Sequence, residues 1–385
     1  MPISNRSLFA AVLAACFGLA VSATLADVEV WTDKERVILK GDLKGMRVLP
    51  PGSKGKGRPT GAKRPKAKPR VAHRAPRTLR VGPDEEFKLP SQAAAFAVDG
   101  DTIEIKAGEY VDCATWRRNN LTIRCVCGRA HVKDKVCSGK GIWNLVGKNT
   151  TIENIEFSGM YNASRNGSGI RHQGMHLTVR NSYFHDGEEG ILGGYKAGNV
   201  ILVEDSLFER LGAIGQSHPI YINGGKSMTL RRTVIRGCID QANCFKSRAQ
   251  QNTLTCNVIA SMDGNSSWEV DIPYGGRATI RNNVIQQGAR SVNYGIISFA
   301  METHKTGQKN PEQTLNLENN IIINDHNKGR FIVYREHKNT KFNVRGNKFV
   351  GKRRHDHRTG NKLFRDRAAA KLKAYPALPE ACKKQ

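Results

Sequence analysis

The sequence predicts an all-β protein, a parallel β-helix (solenoid) in which short strands wind into stacked coils, with a short helix capping the N-terminal end. Three observations support this prediction. One short motif is written nine times at similar spacing. Apolar residues alternate with polar ones in each copy, which is the periodicity of a β-strand. A polar bend then interrupts the alternation at a similar place in most copies.

The repeat occupies residues 81–350. Its copies read LTIRCV, TTIENIEF, LTVRNSYF, ILVEDSLF, MTLRRTVI, NTLTCNVI, ATIRNNVI, LNLENNII and FNVRGNKF. The third residue of each copy is an apolar anchor, and successive anchors lie 24 to 37 residues apart. The anchors are Ile123, Ile152, Val179, Val203, Leu230, Leu254, Ile280, Leu317 and Val344. A unit of this size cannot bury its own apolar face, so the copies must stack.

The bend in each copy joins two short strands. Asn is common there, because it tolerates the left-handed backbone that a tight bend needs. Stacked Asn side chains could also hydrogen-bond from coil to coil as a ladder. A more variable third strand follows, in segments such as GIRHQ, PIYIN and CFKSR. The bend asparagines are Asn154, Asn181, Asn257, Asn283, Asn320 and Asn347.

The segment before the repeat, LPSQAAAFAVDGDTIEIKAGEYVD, predicts a helix over residues 91–98, a turn and a strand. A solenoid needs a cap over its first coil, and this amphipathic helix can supply it. Other repeat folds fit less well, since propeller blades need about 40 or more residues and leucine-rich repeats show a leucine consensus.

The positive charge lies mostly outside the repeat. The net charge is +27, but residues 44–80 hold thirteen Lys and Arg with no acid, and the basic tail at 351–385 holds eleven with three acids. The repeat therefore does not predict a specific nucleic-acid-binding domain. The Gly- and Pro-rich tract at 44–80 predicts a disordered linker that could bind an anionic polymer. Residues 27–43 form a short N-terminal segment that could hold a strand.

The N-terminus has the pattern of an export signal. A basic residue, an apolar stretch and the small residues SATLA predict a signal peptide over residues 1–26. The alternative is a lipoprotein box, LAAC, with a lipid on Cys16. No later run is long enough to span a bilayer. The expected location is the periplasm, the cell surface or the medium.

Eight cysteines remain after the signal segment, an even number that predicts disulfides in an exported chain. The sequence leaves their pairing open. Zinc binding by the first four thiols is the alternative. The cysteines are Cys113, Cys125, Cys127, Cys137, Cys238, Cys244, Cys256 and Cys382.

Candidate functional residues lie on the variable strand of three consecutive coils, which read SHPIYING, NCFKSRA and SSWEVDIPYGG. Residues two apart on a strand share a face, and stacked coils lie about 4.8 Å apart. We therefore expect one outward patch. Its members are His218, Tyr221, Asn223, Lys246, Arg248, Glu269 and Asp271.

These residue types suit β-elimination of a uronate polymer. Lys246 could be the base, since Arg248 alongside it and desolvation favour a neutral amine. Tyr221 or His218 could protonate the leaving oxygen.

The other polar residues are expected to hold the substrate or a cation. The predicted substrate-binding residues are Asn223, Asp271, Tyr274 and Glu302. Glu269 and Asp271, with Asn243 nearby, could bind Ca²⁺ through oxygen ligands. The same two carboxylates could act as the paired acids of a hydrolase, and Lys246 with Glu269 could be a cross-coil ion pair.

Four residues on earlier coils are expected to be solvated loop residues, with metal binding as the alternative. They are His172, His185, Glu188 and Glu189.

The DGDTIEI and GEY entry, followed by TIxNNxI coils, resembles the right-handed parallel β-helix superfamily of pectate-lyase-like proteins. That fold carries lyases, hydrolases, epimerases, esterases and phage adhesins. The segment CFKSRAQQNTLTCNVI is similar to chondroitinase-B-like and alginate-lyase-like polysaccharide lyases, which implies Lys246 as the base. The catalytic arginine of those lyases would fall at Asp271, a departure from their pattern. The set KSRA, DxPxGG and Glu302 resembles uncharacterised bacterial β-helix proteins.

Together these features predict an exported lyase that cleaves an acidic, uronate-containing polysaccharide or cell-envelope glycan. A glycoside hydrolase and an epimerase are lesser options. The alternative from another class is a non-catalytic surface or matrix protein that binds glycan or cell wall, with the basic linker as its anchor.

Overall fold

The computed structural model describes residues 28–33, 36–41, 74–326, 328–335, 337–351, 359–373 and 382. The predicted signal peptide, Cys16 and most of the basic linker and tail lie outside the described residues. The chain divides into two compact units, Met1–Ala72 and His73–Gln385. In the first unit, strand β1 (Val28–Asp33) pairs with β2 (Arg36–Gly41) in antiparallel register.

The second unit is a parallel β-solenoid, which confirms the predicted fold class. Three sheets run along it, with eleven, eleven and nine strands, and each strand pairs in parallel with the equivalent strand of the next coil. Sheet 1 contains β3 (Thr78–Val81), β4 (Thr102–Ile105), β7 (Thr122–Cys125), β10 (Lys148–Glu153), β13 (Met175–Arg180), β16 (Val200–Glu204), β19 (Ser227–Arg231), β22 (Gln251–Thr255), β25 (Gly276–Arg281), β28 (Gln313–Glu318) and β31 (Lys341–Arg345). Sheet 2 contains β5 (Gly108–Tyr110), β8 (Ala130–Lys133), β11 (Ile155–Ser158), β14 (Tyr183–Gly187), β17 (Leu207–Leu211), β20 (Val234–Arg236), β23 (Val258–Ala260), β26 (Val284–Gln287), β29 (Ile321–Asn324), β32 (Lys348–Val350) and β33 (Lys362–Phe364). Sheet 3 contains β6 (Ala114–Trp116), β9 (Gly141–Leu145), β12 (Ser168–His172), β15 (Glu189–Gly193), β18 (Ile220–Ile222), β21 (Phe245–Ser247), β24 (Val270–Ile272), β27 (Gly295–Phe299) and β30 (Arg330–Tyr334).

Two short helices accompany the strands. Helix α1 (Pro90–Phe96) buries Pro90 and Ala93 and packs against β3 and β6, close to the predicted range. Helix α2 (Thr303–Thr306) follows β27. Among the residues that the structure describes, no helix combines the length and apolar character needed to cross a bilayer.

The solenoid extends past the predicted boundaries at both ends. Strand β3 begins at Thr78, inside the predicted linker. The buried carboxylate of Asp101 holds this entry in place, because it accepts hydrogen bonds from the Arg77 backbone at 2.9 Å and the Arg74 guanidinium at 2.9 Å. At the other end, β33 lies in the predicted tail and pairs with β32.

The anchor residues form an inward column in sheet 1. Ile152 pairs with Val179, and Val179 pairs with Val203 in the next coil. Every anchor from Ile123 to Leu317 is fully buried. Burial of each such side chain stabilises the folded state by roughly 1.5–3 kcal/mol. This gain favours stacking of the coils.

The bend has two adjacent positions, which agrees with the one- or two-residue bend that the sequence pattern predicted. Asn154 and Asn181 occupy the left-handed position, with φ of 61° and 44°. Asn257 and Asn283 lie one residue further from their anchors, and the left-handed residue before Asn257 is Cys256, with φ of 60°. The Asn257 amide donates to Asn283 Oδ1 at 2.9 Å. An asparagine ladder is therefore present at the second position, and at the first position Asn181 Nδ2 donates to Asn154 Oδ1 at 3.2 Å.

Three disulfides confirm the prediction of disulfide bonding. Cys125 and Cys127 are free thiols, the first buried and the second exposed. The zinc alternative is wrong, because two of its four thiols are bonded to each other. The pairs are Cys113–Cys137, Cys238–Cys244 and Cys256–Cys382.

Candidate functional site

Three consecutive strands of sheet 3 align one row of polar side chains. Tyr221 is the middle residue of β18, Lys246 of β21 and Asp271 of β24, and the three pair in register across the strands. Their neighbours on either side, such as Phe245, are fully buried in the core. The middle residues therefore lie on the opposite face, about 4.8 Å apart, as the sequence predicted.

Arg248 links this row to later parts of the chain. Its Nη1 donates to the Tyr221 hydroxyl oxygen and to Asn223 Oδ1 at 3.3 Å. Its Nη2 donates to Glu302 Oε2 at 2.6 Å. The guanidinium carbon lies 5.2 Å from the centre of the Tyr221 ring and 5.0 Å from that of Tyr274, within cation–π range.

Lys246 contacts two carboxylates. Its Nζ lies 3.1 Å from Glu302 Oε1 and 3.5 Å from Asp271 Oδ2. The predicted ion pair with Glu269 is not formed; Asp271 and Glu302 take that place. Only 12% of the Lys246 side chain and 13% of the Arg248 side chain are exposed, so these contacts are weakly screened by solvent.

Glu302 is the anion between the two cations. Burial works to raise its pKa, but the hydrogen bond from Arg248 and the charge of Lys246 outweigh burial and lower the pKa. Burial likewise works to lower the pKa of Arg248, and the bonds to Glu302 and Tyr221 raise it. Lys246 and Arg248 thus contact one carboxylate from two sides, and these two residues with Glu302 form a triad.

Asp271 lies at the buried edge of the triad. Its Oδ2 accepts a hydrogen bond from Asn243 Nδ2 at 2.9 Å. Burial raises its pKa, and the charge of Lys246 opposes this only in part. Asp271 is thus more ready to hold a proton than an ordinary aspartate.

His218 lies beneath the row rather than on it. Its side chain is buried, its Nδ1 accepts a hydrogen bond from the Asn243 backbone at 3.1 Å, and its ring packs edge-on against Tyr221 with centroids 5.1 Å apart. Burial lowers its pKa well below the ordinary value, and the charges of Lys246 and Arg248 act in the same direction. The imidazole is neutral at neutral pH and supports Tyr221 from below.

Glu269 does not join the patch. It precedes β24, is fully buried, and accepts a hydrogen bond from Ser266 Oγ at 2.8 Å. Burial raises its pKa to about 8, so the carboxyl is protonated at neutral pH. Asp271 contacts Asn243 and Lys246 instead. The two carboxyls therefore do not form the pair that the sequence predicted.

The predicted Ca²⁺ site does not fit these residues. Calcium requires several ionised or carbonyl oxygens around one point. Glu269 is a neutral acid at neutral pH, and the Asp271 carboxylate already faces the Lys246 ammonium.

The patch predicted from the sequence did not include Arg171, which lies on the same outer row of sheet 3. Arg171 pairs with Leu192, and Leu192 pairs with Tyr221, so Arg171 is two coils or about 10 Å from the tyrosine. Its Nε and Nη1 are buried without a hydrogen-bond partner in the described part of the chain. The segment GIRHQ carried the signal, since its arginine aligns with Lys246 in the repeat.

The four residues expected in solvated loops are not solvated. His172, Glu188 and Glu189 are buried, and His185 lies on β14. Burial lowers the pKa of His172 to about 4 and raises that of Glu189 well above its ordinary value. The expectation of solvated loops is wrong, because these segments are strands and tight turns of the solenoid.

No family model matches the chain, and no curated protein matches it. Several solved structures are similar to it in fold. A pectate lyase is 14% identical, with 79% of this chain and 82% of that chain covered and a TM-score of 0.48. The pectin methylesterase of Aspergillus niger is 12% identical, with 74% and 89% covered and a TM-score of 0.40. An alginate lyase is 14% identical, with 71% and 51% covered and a TM-score of 0.35.

Proposed function

We propose that the protein binds an acidic, uronate-containing polysaccharide on the outer face of sheet 3 and cleaves it by β-elimination. One observation carries the proposal: Lys246 and Arg248 already hold a carboxylate, that of Glu302, between them. A uronate carboxylate has the same charge and geometry as the Glu302 side chain. The two cations can therefore receive it by exchange.

Unused donors on the same face support a polyanionic ligand. The buried Nε of Arg248 has no hydrogen-bond partner among the described residues, and neither do two nitrogens of Arg171. A buried donor without a partner is costly, which favours a ligand that supplies an acceptor. Cations at two places along one row suit a polymer with a carboxylate on successive sugars.

The reaction requires three groups. A base removes the proton on the carbon beside the carboxylate, the electron pair forms a carbon–carbon double bond, and the carbon–oxygen bond to the leaving sugar breaks. The leaving oxygen takes a proton from an acid. Positive charge at the carboxylate stabilises the anionic intermediate. Arg248 supplies this charge.

Lys246 is the base in this proposal. An ammonium has no lone pair, so Lys246 must first release a proton. Asp271 can hold that proton, since its carboxylate is 3.5 Å away and burial raises its pKa. Asp271 stands where the chondroitinase-B-like and alginate-lyase-like enzymes would have their catalytic arginine. In this proposal its role is to accept the proton from Lys246.

Tyr221 is the acid. Its oxygen accepts a hydrogen bond from Arg248, so its own proton is directed elsewhere and is free for donation. Asn223, which contacts the same guanidinium, and Tyr274, which stacks on it, position the sugar.

The test is turnover of a panel of uronate polymers, followed by ultraviolet absorbance of the unsaturated product. We expect Lys246→Arg to lose about 10²–10⁴-fold in kcat while retaining binding, because arginine keeps the charge but cannot act as a base. Tyr221→Phe should lose a similar factor. Lys226→Arg, at an exposed lysine, is the matched control. Absence of unsaturated product from every acidic polymer, or full activity of Lys246→Arg, would refute the lyase.

A non-catalytic glycan-binding protein is the second candidate, favoured by the ion pairing of both cations with Glu302. It predicts retention on acidic polysaccharide or cell wall without cleavage. The basic linker would add to retention, so deletion of residues 44–72 should weaken it. Undiminished retention of that deletion variant would exclude the linker as an anchor.

We infer that the protein is exported to the periplasm, the cell surface or the medium. Support comes from the signal-like residues 1–26 and from three disulfides, which persist in oxidising compartments. N-terminal sequencing of the mature protein tests this inference. An intact residue 1 would overturn it, and a lipid on Cys16 would replace signal cleavage with membrane tethering.

A further inference from the structure

Three metal-ligating side chains meet on the outer face of sheet 2, away from the sheet 3 site. His131 on β8 pairs in register with Glu156 on β11, and His185 lies on β14 in the next coil. One ligand atom from each residue lies within 4.8 Å of the other two. Three successive coils thus contribute one ligand each.

His185 lies between two carboxylates. Its Nδ1 lies 2.6 Å from Asp186 Oδ2, and its Nε2 lies 3.1 Å from Glu156 Oε1. Asp186 therefore faces one nitrogen of the ring, and the other nitrogen points to Glu156, the side of the ring on which the three ligand atoms cluster.

The spacing suits a tetrahedral metal ion. Bonds of about 2.0–2.1 Å in tetrahedral geometry place ligand atoms about 3.3 Å apart. Glu156 Oε1 is 3.1 Å from His185 Nε2 and 3.5 Å from His131 Nδ1. The three side chains are 14–22% exposed, so solvent reaches the cluster, and Glu109 Oε1 lies 3.8 Å from His131 Nδ1.

Outer contacts hold the ligands in orientation. Arg210 binds both oxygens of Asp186, at 2.6 and 2.8 Å, and Asp186 orients the His185 ring. The other nitrogen of His131 lies 2.7 Å from Ser158 Oγ. Histidine ligands in metal sites characteristically have such a partner on the second nitrogen.

We propose that His131, Glu156 and His185 bind a divalent transition-metal ion of the zinc class. Two imidazoles and one carboxylate are the ligands that this class prefers, whereas Ca²⁺ and Mg²⁺ take oxygen ligands. The ion would join three coils of sheet 2, and its open position would hold water. This site is independent of the glycan chemistry proposed for sheet 3.

The test is metal binding by the full chain after removal of metals with a chelator. Titration with Zn²⁺ by calorimetry, and with Co²⁺ by visible absorption, should show one tight site with the intense bands of tetrahedral cobalt. His185→Ala and Glu156→Gln should each weaken binding by about a hundredfold, and Asp186→Asn by about 10–100-fold. His304→Ala, at an exposed histidine, should bind as the wild type does.

The segment RRHDHR offers a competing site, so His355→Ala/His357→Ala is measured in parallel. Thermal unfolding in chelator checks that each variant folds. Retention of stoichiometric binding by folded His185→Ala would overturn the proposal, as would its loss in the double variant alone. Absence of stoichiometric binding to the wild type would show that His185 and Glu156 form a simple ion pair.

Discussion

Replacing Glu302 with glutamine distinguishes two roles for Lys246 and Arg248. In the first role they bind the carboxylate of an acidic glycan, and in the second they only form structural ion pairs with Glu302. Glu302→Gln removes the negative charge between Lys246 and Arg248 but keeps the size of the side chain and one acceptor oxygen. The substitution should lower stability and raise affinity for acidic polymer. A structural ion pair predicts only the first effect.

The loss of stability follows from the contacts. Glu302 accepts two charge-assisted hydrogen bonds, at 3.1 and 2.6 Å, and 27% of its side chain is exposed. Breaking a fully buried pair costs about 3–5 kcal/mol, and a hydrogen bond to a charged group contributes about 1.5–3 kcal/mol. Glutamine retains part of these interactions. We expect the free energy of unfolding to fall by about 2 kcal/mol.

The gain in affinity follows from the charge. Glu302 competes with a substrate carboxylate for Lys246 and Arg248, and its removal raises the local charge by one unit. Two unit charges about 4 Å apart interact by about 4 kcal/mol near a protein surface, and the exposed part of the site reduces this figure. A gain of about 1.4 kcal/mol corresponds to tenfold tighter binding. We expect at least that factor at low ionic strength.

The assay combines urea unfolding with calorimetric binding of polygalacturonate and alginate oligomers. Glu312→Gln is the matched control, because Glu312 also pairs with an arginine, Arg277 at 2.8 Å, but both side chains are about half exposed. That change should cost at most about 1 kcal/mol and leave binding unchanged. Unaltered or weaker glycan binding by Glu302→Gln would refute the first role.

Three further changes test the fold and the buried polar groups. Glu269→Gln should gain stability relative to wild type as pH rises from 4.5 to about 8, by up to about 1.4 kcal/mol per pH unit, because the folded state alone retains the proton there; urea unfolding across pH measures this. Asn283→Ala should lower the unfolding free energy by about 3 kcal/mol, since the buried amide of Asn257 loses its acceptor and backbone carbonyls lose a donor. Cys382→Ser should cost about 2–5 kcal/mol and expose the C-terminal segment to proteases, because the bond to Cys256 closes a loop of 126 residues.

Each of these changes has a contradicting outcome. A stability difference between Glu269→Gln and wild type that is constant with pH would mean that Glu269 is ionised in the folded protein. The control for Asn283→Ala is Asn343→Ala, at an exposed asparagine. An equal loss of unfolding free energy in the two variants would show that the asparagine ladder does not stabilise the fold. Cys127→Ser, at an exposed free thiol, should leave stability and proteolysis unchanged.

The stacked coils could be predicted because their cause is local and repeated. Ile152 and Val179 occupy equal positions in their copies, and each is apolar between polar neighbours. The two positions of the bend could not be distinguished in this way. Asn282 takes the left-handed backbone and Asn283 joins the ladder, and only contact with the next coil decides which of two adjacent asparagines faces inward.

Part of the candidate site could likewise be predicted from the sequence, and part could not. The alignment of Tyr221 with Lys246 followed from their equal places in successive copies. The pairing of Glu269 with Asp271 did not, because β24 is only three residues long and Glu269 lies before it, where strand alternation no longer applies. Glu302 was expected to contact substrate, but its place between two cations depends on the chain after β27, which follows no repeat.

The amino-acid sequence by itself determined the architecture, the disulfide chemistry and the face on which Tyr221, Lys246 and Arg248 meet, because period-two alternation and repeat spacing are properties of neighbouring residues. The tertiary structure decided which carboxylate each cation holds, which acids are buried and neutral, and that His131, Glu156 and His185 converge. These outcomes depend on distances of a few ångströms between residues from different coils, and such distances are set only when the coils pack.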